Sequence, residues 1–142
     1  MADPIGTPSI AEGSTFADLA ASRRAWIGGV LKPWAQRARR DDLLLAEQEW
    51  TDIAGKVDPE KTLWAWAWGR FPALVHGDHG IDEASAVTIR LNDGRVFSGY
   101  PNGRKSPRGQ LVLYGRIGPE TYGDLGPFSI DDVASVEKDD EA

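Results

Sequence analysis

The sequence predicts an α+β protein in which an N-terminal layer of three helices packs on a small C-terminal β-barrel of five strands. Apolar residues recur at spacings of three and four over residues 14–75, which is the period of an amphipathic helix. From Val87 onward, apolar residues alternate with polar ones, as is typical of half-buried strands. Because helices and strands are segregated along the chain, a sheet built from βαβ units is excluded.

The composition excludes several classes of function. The chain of 142 residues carries 22 acidic and 16 basic side chains, and this net charge of −6 argues against coating nucleic acid or an anionic membrane by bulk charge. It contains no cysteine, so disulfide scaffolds, cysteine-zinc sites and thiol catalysis are excluded. Six tryptophans are unusual at this length, and most of them fit the apolar faces of helices.

Both ends of the chain predict solvated segments. Residues 1–13 are rich in proline and glycine and predict a flexible arm, whereas residues 138–142 predict an acidic tail. The first fourteen residues carry neither a basic segment nor an apolar run, so no targeting peptide is expected. The longest strongly apolar run, residues 43–46, is far shorter than a membrane span, and we expect a cytoplasmic protein without membrane contact.

The first helix is predicted to begin at Thr15, because Thr15 and Asp18 have the spacing of a capping box. Its predicted apolar face consists of Phe16, Leu19, Ala20, Trp26, Ile27, Val30 and Leu31. Gly28 and Gly29 weaken the helix and predict an end or a kink. Pro33 suits the first turn of a new helical segment, where its missing N–H has no partner to lose.

A second helix is predicted up to Gly55, a residue type that favours the end of a helix. Its predicted apolar face consists of Leu43, Ala46, Trp50, Ile53, Ala54 and Val57. Charged residues occupy the other faces, as expected for a helix with one side against a core.

The third helix is predicted from the order Asp58-Pro59-Glu60, which places a capping carboxylate, a proline and an acid in the first turn. The alternation of tryptophan and alanine over residues 64–68 favours a strand instead, so two rules compete here. We give the cap more weight and predict a buried helical stripe of Leu63, Trp64, Ala67, Trp68 and Phe71. Trp66 then lies on another face, and Gly69 and Pro72 end the helix.

The strand half follows a predicted loop over residues 76–85. Val87, Ile89 and Leu91 alternate with polar residues, and the turn at residues 92–94 reads Asn-Asp-Gly, a strong hairpin signal. A polar loop over residues 101–109 and a loop rich in glycine and proline separate the later strands. These later strands are predicted at residues 96–100, 110–117, 128–130 and 133–137.

Three stretches of this half resemble an Sm-like or SH3-like barrel. They run from Thr88 to Gly99 (TIRLNDGRVFSG), from Leu111 to Leu113 (LVL) and from Ile130 to Val136 (IDDVASV). In such barrels, a strand of the pattern V-x-L-x-D-G-R turns into a strongly bent strand that contains a glycine, and the last strand follows a brief turn. The resemblance covers residues 86–137 and implies five strands. The chain lacks the Arg-Gly segment and the Asp/Asn pair of the Sm uridine pocket, so RNA binding does not follow.

Metal-ligand chemistry is concentrated in one loop. His76, Asp78 and His79 bring both histidines of the chain and a carboxylate within four residues, and such ligands suit zinc or manganese. A metal-dependent hydrolase at this loop is therefore one hypothesis, with an ordinary surface loop as its alternative. We predict no cofactor and no catalytic residues, since no serine has an evident base and orienting group.

A second candidate is the cationic loop formed by Arg104, Lys105 and Arg108, which could hold a phosphate or an acidic partner. The stretch from Gly99 to Ser106, which contains Arg104 and Lys105, does not fit the phosphate-binding P-loop. That motif has four residues between its two glycines and a helix after them, whereas here three residues separate Gly99 from Gly103 and a strand follows. Nucleic-acid binding through these three residues is the alternative to binding another protein. A solvated hairpin loop would have the same composition.

Trp66 is the best single candidate for contact with a partner, since an exposed indole often marks an interaction site. From these observations we predict a non-enzymatic binding module for another protein, with Trp66 and the cationic loop as candidate contacts. This functional prediction depends mainly on analogy of fold, and one fold hosts many functions.

Overall fold

The two halves of the sequence fold as an α+β protein. The computed structural model describes residues 15–76 and 80–139. Helical segments fill the first of these ranges, and a five-stranded antiparallel sheet lies in the second. The predicted N-terminal arm lies outside the described residues. No helix within the two described ranges is long and apolar enough to cross a membrane.

The first helix begins at the predicted capping box. Helix α1 spans Phe16–Trp26, the Thr15 hydroxyl accepts the Asp18 N–H, and the Asp18 carboxylate accepts the Thr15 N–H. The two glycines fall in a π-helical turn, Ile27–Leu31, that continues directly into α2, Lys32–Ala35. They therefore widen one turn of the helix and do not end it.

The second predicted helix is divided into two segments. Helix α3 spans Arg40–Gln48 and α4 spans Trp50–Ala54, because the backbone of Glu49 (φ −108°, ψ 12°) leaves the helical region between them. Gly55 ends α4 as predicted, with a φ of +80° that favours glycine.

The tryptophan-rich segment is helical, as predicted, but its helix does not begin at the predicted cap, because the backbone of Thr62 (φ −125°, ψ −84°) leaves the helical region between the two. The Asp58 carboxylate accepts the Glu60 N–H and begins a 3-10 turn, Pro59–Lys61, and helix α5 follows at Leu63–Trp68. The buried residues of α5 are Leu63, Trp64, Ala65, Ala67 and Trp68. The backbone N–H of Gly69 closes the last turn, as predicted.

The five strands are β1 (Val87–Leu91), β2 (Val96–Pro101), β3 (Gln110–Gly118), β4 (Thr121–Ser129) and β5 (Val133–Lys138). They are antiparallel, in the spatial order β4-β3-β2-β1-β5. Gly94 has a φ of +93° in the predicted hairpin turn between β1 and β2. Lys138, assigned to the acidic tail from the sequence, is the last residue of β5.

Strand β4 corrects one prediction. The sequence predicts a glycine- and proline-rich loop before a short strand at 128–130, whereas the structure has a nine-residue strand that pairs with most of β3. Pro127 is tolerated because β4 is an edge strand, where a missing N–H need not break a hydrogen bond to a neighbour. Ile130 belongs to the 3-10 turn that leads into β5.

Apolar side chains from both halves form one buried cluster. Helices α1 to α5 contribute residues such as Trp26, Leu43 and Trp64, and the inner face of the sheet contributes Ile89 and Leu113. Since this cluster uses one face of the sheet, the outer face of β2, β3 and β4 is left to solvent.

Candidate functional site

All three tyrosines of the chain lie on the outer face of the sheet. Tyr100 on β2 pairs with Tyr114 on β3, and Tyr122 on β4 pairs with Arg116 on β3. Because alternate residues of a strand point to opposite faces, the register places these four side chains together, away from the buried Leu113. We call Tyr100, Tyr114, Arg116 and Tyr122 the tyrosine face.

The tyrosine face is ordered and still accessible. The rings of Tyr114 and Tyr122 stack with their centroids 6.4 Å apart, and the Arg116 guanidinium lies 5.9 Å from the Tyr122 ring centroid. The tyrosines remain 48%, 49% and 55% exposed, so about half of each side chain is available for contact. Together with neighbouring residues they border a cleft of about 370 Å³.

Two glycines allow β2 and β3 to approach closely beneath this cleft. A Cβ on Gly99 would lie 2.6 Å from the Tyr114 carbonyl oxygen, and one on Gly115 would clash with the Ser98 carbonyl oxygen. Real Cβ atoms do not come so close to backbone, so any larger residue would push the strands apart. The glycines therefore fix the spacing of the strands that carry the tyrosines.

Arg116 is the charged group of the tyrosine face, and its side chain has no carboxylate partner within residues 15–76 and 80–139. Neighbouring charges are already engaged. Lys105 Nζ lies 2.6 Å from Asp124 Oδ2, and the Thr88 hydroxyl donates to Asp139 Oδ1 at 2.5 Å. Among the described residues, the cleft thus combines apolar rings with the Arg116 guanidinium and the Asp139 carboxylate, which holds the Thr88 hydroxyl.

Trp66, the candidate from the sequence, is half-buried. Its ring meets the ring of Trp50 edge to face, with the centroids 5.9 Å apart, and it packs against the core. Trp66 lies on α5, whereas the tyrosine face lies on the sheet. Contact between Trp66 and a partner stays a prediction.

The cationic loop is largely engaged within the chain. Lys105 pairs with Asp124, and Arg108 Nε donates to Glu47 Oε2 at 2.8 Å. The third cation, Arg104, makes no side-chain hydrogen bond or ion pair within the described part of the chain. The structure therefore leaves one of the three predicted cations available to an anion.

Arg108 also connects the sheet half to the helices through its backbone. Its N–H donates to Glu60 Oε1 at 2.8 Å, and its carbonyl oxygen accepts Arg40 Nε at 2.7 Å. Its φ of +49° is unusual for a residue with a side chain, and these contacts hold it there.

Of the predicted metal ligands, only His76 lies within the described residues; Asp78 and His79 lie outside them. His76 Nε2 lies 3.1 Å from Asp82 Oδ1, and Lys138 Nζ lies 3.6 Å from Asp82 Oδ2. Across residues 15–76 and 80–139, no three histidine or carboxylate side chains converge as a metal-binding set. The described part of this loop therefore places His76 against the buried Asp82, which also pairs with Lys138 of β5.

Sequence reasoning missed the tyrosine face, although two signals were present. Leu111 and Leu113 mark the buried face of β3, so the alternation of a strand places Tyr114 on the opposite, exposed face. Tyr100 likewise lies on the exposed face of β2. Tyr122 lies in the segment predicted as a loop, so its pairing with Arg116 could not be found without the correct extent of β4.

No protein-family model matches the chain, and neither a curated protein nor a solved structure matches it.

Proposed function

We propose that this chain is a non-enzymatic protein-interaction module and that the tyrosine face is its contact surface. The observation that carries the proposal is the convergence of all three tyrosines, each about half exposed, beside the Arg116 guanidinium. Tyrosine and arginine are enriched at the energetically important centres of protein interfaces. Paired strands hold these side chains in place, which lowers the entropy lost on binding.

The chemistry of the surface defines its partner. Apolar side chains of the partner pack between the tyrosine rings, and a carboxylate of the partner pairs with Arg116, which forms no ion pair within the described part of the chain. Asp124 is already compensated by Lys105 and does not repel such a carboxylate strongly.

The strand order supports a barrel of the Sm-like or SH3-like kind as the scaffold. Strand β1 lies between β2 and the C-terminal β5, while β2 pairs with β1 through residues 96–99 and with β3 through Tyr100 and Pro101. A strand that changes partner at Gly99 suits a strongly bent sheet. The helices α1 to α5 form the layer that packs on it.

Nucleic-acid binding is the second candidate, and the stacked tyrosines favour it, because bases stack on exposed aromatic rings. The net charge of −6 and the internal ion pairs of Lys105 and Arg108 weigh against it. Salt dependence separates the two candidates, since phosphate contacts produce a steep loss of affinity with salt.

The experiment compares the native chain with the Tyr114→Ala/Tyr122→Ala double variant and with Phe16→Ala, which removes an 85% exposed ring from α1. Proteins captured from the host by the native chain are identified and purified, and their affinities for all three forms are measured. We expect one such protein to bind the native chain and Phe16→Ala alike, to protect amides of β2 to β4 from hydrogen exchange, and to lose affinity at least about tenfold with the double variant.

Single-stranded RNA and DNA are titrated in parallel at low and high salt. Equal affinity of every captured protein for the double variant would contradict the proposal. If oligonucleotides bind the native chain but not the double variant, and if that binding weakens steeply with salt, the nucleic-acid alternative replaces the proposal.

A further inference from the structure

A second cleft, of about 290 Å³, lies where four segments meet. The turn Pro59–Lys61 contributes Glu60, helix α5 contributes Ala65 and Trp68, the segment before β1 contributes Ile81 and Glu83, and the turn after β2 contributes Arg104. Ala65 and Trp68 are almost completely buried and separate the cleft from the core, whereas Ile81 is only partly buried and offers the cleft an apolar surface. Its volume is at the lower end for ligand sites and suits a small metabolite better than a peptide or a nucleotide.

Three charged side chains border this cleft, and each has unused hydrogen-bonding capacity. Glu60 Oε1 accepts the Arg108 N–H at 2.8 Å, and Glu83 Oε2 accepts the Gly103 N–H at 2.6 Å. Within the described ranges, Glu60 Oε2 and Glu83 Oε1 have no hydrogen-bond partner, and neither has the Arg104 guanidinium. The cleft therefore offers two carboxylate oxygens and one planar cation to a ligand.

The surroundings of Glu60 disfavour its charged form. Burial raises the pKa of Glu60 above its usual value, and the nearby Glu47 and Asp58 raise it further, whereas the Arg108 N–H and charge act in the opposite direction. A positive group beside Glu60 would stabilise its ionised form.

We propose that this cleft binds a small zwitterion of the amino-acid type. Its ammonium is held by the free oxygens of Glu60 and Glu83, and its carboxylate by Arg104, whose guanidinium matches a carboxylate in two parallel hydrogen bonds. Its side chain packs on the partly exposed Ile81. None of these residues belongs to the tyrosine face, so the inference is independent of the proposed protein contact.

The test is a titration of the labelled chain followed by amide chemical shifts. The probes are the standard amino acids at up to about 10 mM, each compared with the amine that lacks its carboxylate and the acid that lacks its amine. We expect at least one amino acid to shift the amides of Ile81, Gly103 and Arg104, and both truncated compounds to bind at least about tenfold more weakly.

Three variants assign the contacts. Glu60→Gln and Glu83→Gln keep an oxygen that accepts the Arg108 or Gly103 N–H but lose the charge, and Arg104→Ala removes the cation. We expect each to weaken binding at least about tenfold. Lys105→Ala is the matched control, because Lys105 is adjacent in sequence but pairs with Asp124 outside the cleft.

Three results would each overturn the inference. They are the absence of shifts with every amino acid, shifts confined to other parts of the chain, and unchanged affinity in all three charge variants. Amide spectra of the free variants confirm that each is folded before it is titrated. The Tyr114→Ala/Tyr122→Ala variant should bind the amino acid normally, which separates this site from the tyrosine face.

Discussion

The carboxylate of Asp131 accepts the backbone N–H of Arg40 at 2.8 Å, so a residue from the turn before β5 caps helix α3. The N-cap residue of this helix, Arg39, supplies no side-chain acceptor of its own. The first N–H groups of a helix have no partner within it, and an acid placed there also interacts favourably with the helix dipole. A contact across 91 positions thus replaces a local cap.

We expect Asp131→Ala to lower the free energy of unfolding by about 1–2 kcal/mol, because the cap is lost. Urea denaturation measures the change. Asp132→Ala is the control, since its exposed side chain should contribute less than about 0.5 kcal/mol. Equal losses in the two variants would show that the long-range cap does not stabilise α3.

The buried tryptophans differ in how their indole N–H groups are satisfied. Trp64 Nε1 donates to Glu47 Oε1 at 2.5 Å, whereas Trp68 Nε1 is buried and has no acceptor among residues 15–76 and 80–139. We therefore expect Trp64→Phe to destabilise the protein more than Trp68→Phe, by about 1.5–3 kcal/mol, because only the first change removes a hydrogen bond to a charged group. Both changes replace an indole by a phenyl ring and so remove the same volume. The difference between the urea midpoints of the two variants therefore measures the contribution of the Trp64–Glu47 hydrogen bond. A larger loss in Trp68→Phe would indicate that its N–H has a partner.

Two glycines have open space around them, but replacing each by alanine should change the free energy of unfolding in opposite directions. A Cβ on Gly94 or Gly28 would meet no atom within 4 Å, so backbone conformation alone decides the outcome. Gly94 has a φ of +93°, and we expect Gly94→Ala to cost about 1 kcal/mol. Gly28 is helical, and Gly28→Ala should stabilise the protein by about 0.5–1 kcal/mol. Changes of the same sign in thermal or urea unfolding would contradict this assignment.

The ionisation of Asp82 should make the free energy of unfolding depend on pH in the acid range. Burial alone would raise its pKa, but the Ala84 N–H, the charge of His76, the Ser85 hydroxyl and Lys138 together lower it below its ordinary value of 3.8. A carboxyl with a lowered pKa in the folded state stabilises the protein above pH 3.8 and loses this effect as the pH falls through the folded-state pKa.

We therefore expect the stability of the native chain to decrease more steeply below pH 3.8 than that of Asp82→Asn, measured as urea midpoints at a series of pH values. Asp52→Asn, at an exposed site on α4, is the control and should follow the native curve. Parallel curves for the native chain and Asp82→Asn would show that the Asp82 ion pairs do not favour the folded state.

Local signals predicted much of the fold. The capping box at Thr15, the cap at Asp58 and the turn at Gly94 each act through neighbours within three or four residues, so they can be read from adjacent letters. Of the predicted buried stripe, Leu63, Trp64, Ala67 and Trp68 are buried on α5, whereas Phe71 lies beyond the end of α5 and is only partly buried.

The features that were missed depend on distant pairing. Strand β4 contains glycine and proline, and it is a strand because β3 lies beside it at the edge of the sheet. The tyrosine face exists only when the β2-β3 and β3-β4 registers are both known. Likewise, the ion pairs of Lys105 and Arg108 join residues 19 and 61 positions apart, so their engagement could not be predicted from the composition of the cationic loop.

The contacts of Arg108 limit how the length of its loop can vary. Surface loops between strands usually tolerate insertions and deletions. In this loop, one residue meets Glu47 with its side chain, Glu60 with its N–H and Arg40 with its carbonyl oxygen. Adding or removing a residue between β2 and Arg108 would shift all three contacts together, although each single substitution disturbs only some of them. The connection from β2 to β3 therefore acts as a spacer of fixed length, and we expect it to accept new side chains at its exposed positions but not a change in residue number.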